Sequence, residues 1–297
     1  MSRPLTPVRS CQATNRLVDS ARFAGSLVGQ VALVTGASRG IGRAIAFALA
    51  NAGAHVVCVA RTVQDIWETA NEISAQTGIE SLAIAADVSI LEDIDYALQL
   101  IRQKFGRIDI LINNAGICRI GPLGCEPDFN AWWRVLEVNL RGPAALIHRV
   151  LPEMLHRDRG VIISIGSRNA IHNFPFLTAY SAAKTALLRV HQCLDMEITD
   201  SGIRHFYLQP GDVPTSLIDN AVNLEALETI PALQEMINSI QSVFSGPDAC
   251  SPQVAGDACV VLAADSDSQA LSGMYLDVDK LSLHLEQAKK ECKSKRI

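Results

Sequence analysis

The stretch VALVTGASRGIGRAIAFALANAGAHVVCVAR, residues 31–61, decides the fold. It opens on VALVTG (31–36), an apolar run of strand length. Gly36, Gly40 and Gly42 follow, and then Ile41, Ala44, Ile45, Ala48 and Leu49 fall on one helical stripe over 40–52. HVVCVA (55–60) is a second apolar run. A strand, a glycine turn, a helix and a second strand make the crossover unit that joins parallel strands. Glycines in the first turn let the backbone bend sharply and approach a pyrophosphate, while the helix N-terminus supplies partial positive charge. The spacing GxxxGxG departs from the commoner GxGxxG, so the strand-turn-helix setting carries the reading.

The same rhythm continues outward. A helix is expected over 64–76, a strand over SLAIAADV (81–88), a helix over roughly 91–105 and a strand over IDILINNAG (108–116). A long helix follows over roughly 129–156, with an interruption expected near Gly142-Pro143. GVIISIGS (160–167), a helix over 178–199, RHFYLQPG (204–211) and GMYLDVD (273–279) complete the pattern. Strand–helix alternation with continuous apolar strands predicts an α/β fold, a doubly wound parallel sheet of about seven strands with helices on both faces. No second domain, repeat or linker interrupts 28–280. The 216–250 region breaks the rhythm, with Leu217, Ile218, Val222, Leu233, Met236, Ile237 and Ile240 among polar residues. It suits a helical lid over an apolar pocket, or equally packing on the core or on another subunit.

Composition narrows the classes of function. Of 297 residues 48% are hydrophobic and 19% charged, and the net charge is −5, which argues against a nucleic-acid surface. No apolar run approaches the ~20 residues of a membrane span. The eight cysteines form no CxxC pair and no zinc spacing, and no metal site is expected. A core of this size needs no disulfides, so reduced thiols and a cytoplasmic location are expected. Residues 1–27 carry four arginines and one acid. They are weakly compatible with an organelle transit peptide; a flexible or partner-contacting arm is the preferred reading. Residues 281–297 are expected to be a C-terminal tail whose last stretch, KKECKSKRI (289–297), is basic and frayed.

Chemistry concentrates in TAYSAAKTA (178–186). Tyr180 and Lys184 lie four apart, hence on one helical face. A tyrosine hydroxyl near pKa ~10 is a poor base, and a nearby ammonium favours the phenolate. The pair can therefore move a proton near working pH. Alone, such a spacing is common by chance; Ser167, thirteen residues upstream, and the glycine turn give it weight. Beyond the second strand, Ala60 offers no carboxylate for ribose hydroxyls, whereas Arg39 and Arg61 place two cations where a 2′-phosphate would sit. NADP(H) is inferred; the bland reading leaves one or both arginines facing solvent.

Together these residues resemble the short-chain dehydrogenase/reductase family in its single-domain branch, over about 28–280. TGASRGIG (35–42) matches the family's TGxxxGxG, which implies cofactor contacts for Gly36, Ser38, Arg39, Gly40, Ile41 and Gly42 within a Rossmann-type sheet. Asp87, with Val88, stands where the family contacts adenine. NNAG (113–116) matches the sheet-bracing motif, with Asn114 beside the adenosine. Asn139 resembles the family asparagine that holds a lysine-bound water. PGDVPT (210–215) resembles PGxVxT, where Val213 and Thr215 meet the nicotinamide end. The family's NISS is here Ser164-Ile165-Gly166-Ser167; Ser167 is retained, Gly166 is expected to loosen the turn that aims it, and Ser164 is the competing candidate.

The resemblance implies that Tyr180 exchanges a proton with a carbonyl or alcohol oxygen, that Ser167 stabilises that oxygen, and that Lys184 lowers the tyrosine pKa and holds the nicotinamide ribose. It implies a ketone/secondary alcohol oxidoreductase acting as a homodimer or homotetramer through 129–156 and 178–199; the 168–178 loop with the apolar 216–250 region suggests a ketoreductase for a medium-sized, largely hydrophobic small molecule. A non-catalytic NADP-binding scaffold, and epimerisation or enoyl reduction on the same fold, are the rival readings. The 168–178 loop is expected to border substrate.

Overall fold

The computed structural model describes residues 19–219, 221–247 and 249–294. Its strands are β1 (Val31–Thr35), β2 (His55–Ala60), β3 (Ser81–Ala85), β4 (Ile110–Asn113), β5 (Gly160–Ile165), β6 (Ile203–Gln209) and β7 (Tyr275–Asp277). They form one seven-stranded sheet in the order β3-β2-β1-β4-β5-β6-β7. Every pair is parallel, with Leu33 level with Val57 on one side and Leu111 on the other. Right-handed crossovers through helices produce this order, and β1 and β4 run outward from a shared start. The crevice outside their carboxyl ends is therefore where a ligand site belongs.

Alternation along each strand feeds two cores. Ala32, Val34, Val56, Cys58, Ile112 and Ile163 face one layer, against Ile45 and Leu49 of α1 (Gly40–Asn51), Ile66 and Ile73 of α2 (Val63–Thr77), and α9 (Pro252–Ala264). Val31, Leu33, Val57, Leu111 and Ile162 face the other, against Ile94, Leu98 and Ile101 of α3 (Leu91–Phe105) and Leu146, Ile147 and Val150 of α5 (Gly142–His156). Full burial of each such side chain stabilises by about 1.5–3 kcal/mol.

Two expectations change. The interruption expected near Gly142-Pro143 is a π turn that ends just before it, not a break in the helix. Helix α4 (Phe129–Leu136) passes through a π turn at Glu137–Arg141 and continues directly into α5. Pro143 lies in the first turn of α5, where its missing N–H costs least. Gly142 is needed for contact, because a Cβ there would lie 2.6 Å from the Val88 carbonyl oxygen. The segment after residue 280 is also not a frayed tail over its described length. It is helix α10 (Leu281–Ser294), and Leu281, Leu285 and Ala288 are buried in the first core. Spacing of four and three puts them on one face, and Lys289 and Lys290 occupy other positions.

At the other end, the expected arm lies outside the described residues up to 18. From there Ser20 Oγ donates to Asp257 at 2.7 Å and Leu27 is fully buried. Helix α6 (Thr178–Glu197) carries the Tyr/Lys pair. Helices α7 (Leu224–Thr229) and α8 (Pro231–Ser245) occupy the region expected to be a lid. Among the described residues no helix is long and apolar enough to cross a membrane.

Candidate active site

A cleft of about 1890 Å³ opens at the carboxyl ends of β1 and β4. Gly36, Ser38, Arg39, Gly40, Ile41 and Gly42 line it, as do Arg61, Asp87, Val88, Asn114, Asn139, Ser167, Tyr180, Lys184, Val213 and Thr215. The chain thus brings these residues, though not the competing Ser164, to one cavity.

At one end the glycine turn is built for close approach. Gly36 and Gly40 have φ of +65° and +55°, which L side chains rarely adopt. A Cβ on Gly42 would lie 2.2 Å from the Gly36 carbonyl oxygen. Asn114 holds the turn from the neighbouring strand, donating through Nδ2 to the carbonyls of Thr35 at 2.9 Å and Gly36 at 3.2 Å. Its amide hydrogens are thus engaged by the turn, and its place beside the cleft follows from that bracing. The N-terminus of α1 opens into the cleft, and this cradle fits a dinucleotide pyrophosphate.

The Asp87 carboxylate accepts from the Ser89 N–H at 3.0 Å and hydroxyl at 2.7 Å and pairs with Arg134 at 2.6 Å. Burial raises its pKa, but the Ser89 hydrogen bonds and Arg134 outweigh burial and hold it below the usual value. Arg39 and Arg61 are exposed at the same end. Thr62 and Asp65 border that end too. The sequence reading missed Asp65, a carboxylate only four residues beyond Arg61.

The other end holds the proton-moving groups. Lys184 is buried, and its Nζ donates to the Ile165 carbonyl at 2.7 Å. Nζ stands 5.6 Å from the Tyr180 ring centroid. Burial lowers the Lys184 pKa to about 8. Burial, with a smaller push from Cys118, drives the Tyr180 pKa up, and its hydrogen bond with Ser167 only partly opposes this. Burial thus favours the protonated form of the Tyr180 phenol, the form from which a proton can be given.

Asn139 sits on the π turn, fully buried, and donates to the carbonyls of Ile117 at 2.7 Å and Val135 at 2.8 Å. Its side-chain amide thus ties the π turn to the chain that follows β4 and to the preceding helical turn. Its Oδ1 is buried without a protein partner.

Ser164 is excluded as the reacting serine. It is fully buried, bonded to His191 Nε2 at 2.8 Å, and does not line the cleft. Ser167 lies instead at the start of the 168–178 loop, and its Oγ accepts from the Asn169 N–H at 3.2 Å. Phe176 in that loop has φ of +62°, an uncommon conformation for a bulky residue, and its carbonyl accepts from Gly121 N–H at 2.9 Å.

Over this end sits an apolar roof. Ile120, Leu177, Leu233, Met236 and Ile237 are buried together, with Phe174, Phe176 and Ile218 packed on them. A parallel bridge between Ile120 and Val222 pins the segment before α7 to the chain after β4.

The pattern of the short chain dehydrogenase family matches residues 30–225. The chain belongs to this family. It is 38% identical over 274 residues to a short chain dehydrogenase of Pseudocercospora fijiensis, covering 91% of this chain and 87% of that one. It is 29% identical over 259 residues to the short chain dehydrogenase pigC of Monascus ruber, covering 85% and 79%. It is also 34% identical over 215 residues to dehydrogenase/reductase SDR family member 7B of Rattus norvegicus, covering 71% and 66%. This short-chain dehydrogenase is thus an oxidoreductase that acts on CH–OH groups with a nicotinamide cofactor.

Proposed function

We propose that this short-chain dehydrogenase is an NADP(H)-dependent ketoreductase that interconverts a ketone and a secondary alcohol of medium size and mainly apolar character. One observation carries the reading. Ser167 and Tyr180 both line the cleft between its glycine-turn end and its apolar roof, against which Tyr180 packs. A carbonyl oxygen placed there meets two hydroxyls at once, and donors fixed before charge develops stabilise it most.

The cofactor supplies or accepts the hydride. Tyr180, whose protonated form burial favours, gives its proton to the substrate oxygen in reduction and takes one back in the reverse direction. Ser167 bonds that oxygen. Lys184, whose pKa lies near 8, keeps its charge at pH 7, and its remaining N–H donors suit ribose hydroxyls. Arg39 and Arg61 support NADP(H), since guanidinium geometry suits a 2′-phosphate.

A homodimer or homotetramer through 129–156 and 178–199 is part of the proposal. Phe129 and Trp133, on α4, are exposed at 61% and 49%, and Phe129 stacks on Trp132 at 5.3 Å. A cytoplasmic location is proposed with it. The test is NADPH oxidation, followed by its absorbance, against a panel of ketones, with NADH in parallel. Turnover of apolar ketones with NADPH is expected. No ketone-dependent oxidation of either cofactor, or equal efficiency with NADH, would overturn the corresponding part.

A further inference from the structure

We propose that Tyr207 positions the active-site serine. The inference rests on the role given to Ser167 above. Strand β5 ends at Ile165, and the Gly166 N–H makes a further inter-strand bond, to the Leu208 carbonyl at 2.7 Å. One residue on, the Ser167 N–H donates to the Tyr207 hydroxyl oxygen at 3.1 Å. The same hydroxyl donates to the Lys184 carbonyl at 3.1 Å. A single oxygen therefore ties the backbone of Ser167 to the turn of α6 that carries Tyr180 and Lys184.

Gly166 makes this possible. A Cβ there would lie 2.1 Å from Tyr207 Cε1 and 2.5 Å from Cζ. The ring has nowhere to withdraw, being fully buried, stacked on Tyr275 at 5.7 Å and met edge-on by His191 at 6.3 Å. The glycine expected to loosen the serine turn instead admits the ring that fixes it. Tyr207 does not line the cleft, so it touches neither cofactor nor substrate and acts through Ser167. A displacement of a reacting group by ~1 Å costs about a hundredfold in rate, which makes such a tie matter.

The experiment is a double-mutant cycle in the full chain with Tyr207→Phe, Ser167→Ala and the pair, measuring kcat and KM for a turned-over ketone and the affinity for NADPH. Tyr207→Phe keeps the ring and removes only the tie. The expected result is a roughly tenfold to hundredfold fall in kcat with NADPH affinity unchanged. Added to Ser167→Ala, it should cost almost nothing more, because a residue acting through the serine hydroxyl has nothing left to position. Wild-type kcat in Tyr207→Phe, or losses that multiply in the pair, would sink the positioning role alone. Full turnover in Ser167→Ala would instead sink the role of the serine, and this inference with it. Should Tyr207→Phe not fold, hydrogen exchange of the Ser167 amide in the wild type decides. Protection like that of β5 amides supports the tie, and exchange like an open loop overturns it.

Discussion

Acidification should destabilise this protein through a histidine buried in the sheet layer. His191 and His205 are almost fully inaccessible, with their Nδ1 atoms 3.2 Å apart. Two such nitrogens share one proton at a time. Ser164 closes the other side of His191 at 2.8 Å, and Asp195 lies 3.4 Å from His205 Nε2 in a loosely aligned contact. Asn113 Nδ2 faces Ser164 Oγ at 3.4 Å, and Tyr207 meets His191 edge-on. The neutral network that satisfies these contacts has Ser164 donating to His191 Nε2 and His191 Nδ1–H donating to His205 Nδ1.

Burial, reinforced by His205, lowers the His191 pKa to about 3. Burial also lowers that of His205, against the pull of Asp195. A folded pKa below the unfolded ~6.5 means that the unfolded chain binds more protons, so stability is complete above ~6.5 and drains as pH falls towards the folded value. For His191 alone, linkage gives a loss of about 2 kcal/mol between pH 7 and 5, with a slope approaching one proton per pH unit. His205 adds in the same direction. Urea unfolding at fixed protein concentration from pH 7 to 5 measures the slope, and His191→Asn should reduce it by about one proton. An unchanged slope in that variant would refute the reasoning.

Tyr180→Phe should lower kcat by about 10²–10⁴-fold while leaving NADPH affinity intact, measured by steady-state kinetics and cofactor titration. Arg61→Ala should raise the KM for NADPH by about tenfold to a hundredfold, the worth of a charge-assisted hydrogen bond, with the KM for NADH unaltered. Leu285→Ala, in the face of α10 buried in the core, should cost about 2–5 kcal/mol in urea unfolding; a frayed tail would cost nothing.

Much of this architecture could be read from the chain because its cause is local. VALVT and HVVCVA are strands since unbroken apolar runs bounded by turns fit a sheet covered on both faces. The turn at 36–42 followed from glycine spacing, and Tyr180 and Lys184 share a face by helical geometry. What escaped depends on contacts distant in sequence. The π turn holding Asn139 has no composition signal of its own; Gly142-Pro143 marked its place but not its kind. Helix α10 was hidden by its lysines, although Leu281, Leu285 and Ala288 carry the spacing of a buried face. Tyr207 was hidden because its meaning lies in Gly166, forty-one residues away in the chain and in the same plane of the sheet.

The residues that match family motifs divide into two physical kinds, and hydrogen-bonding capacity separates them. Asn114 gives both amide hydrogens to the glycine turn, and Asp87 is occupied by Ser89 and Arg134. These groups shape the cleft, and their substitution should act first through its geometry. Lys184 has three N–H donors and gives one to Ile165, while Asn139 keeps a buried Oδ1 without a protein partner. Leaving buried polar capacity unused costs about 1–3 kcal/mol per group, which a fold tolerates where a bound molecule recovers it. On the proposed mechanism, the unused capacity of Lys184 and Asn139 is what a bound molecule would recover, whereas Asn114 and Asp87 are already engaged within the protein.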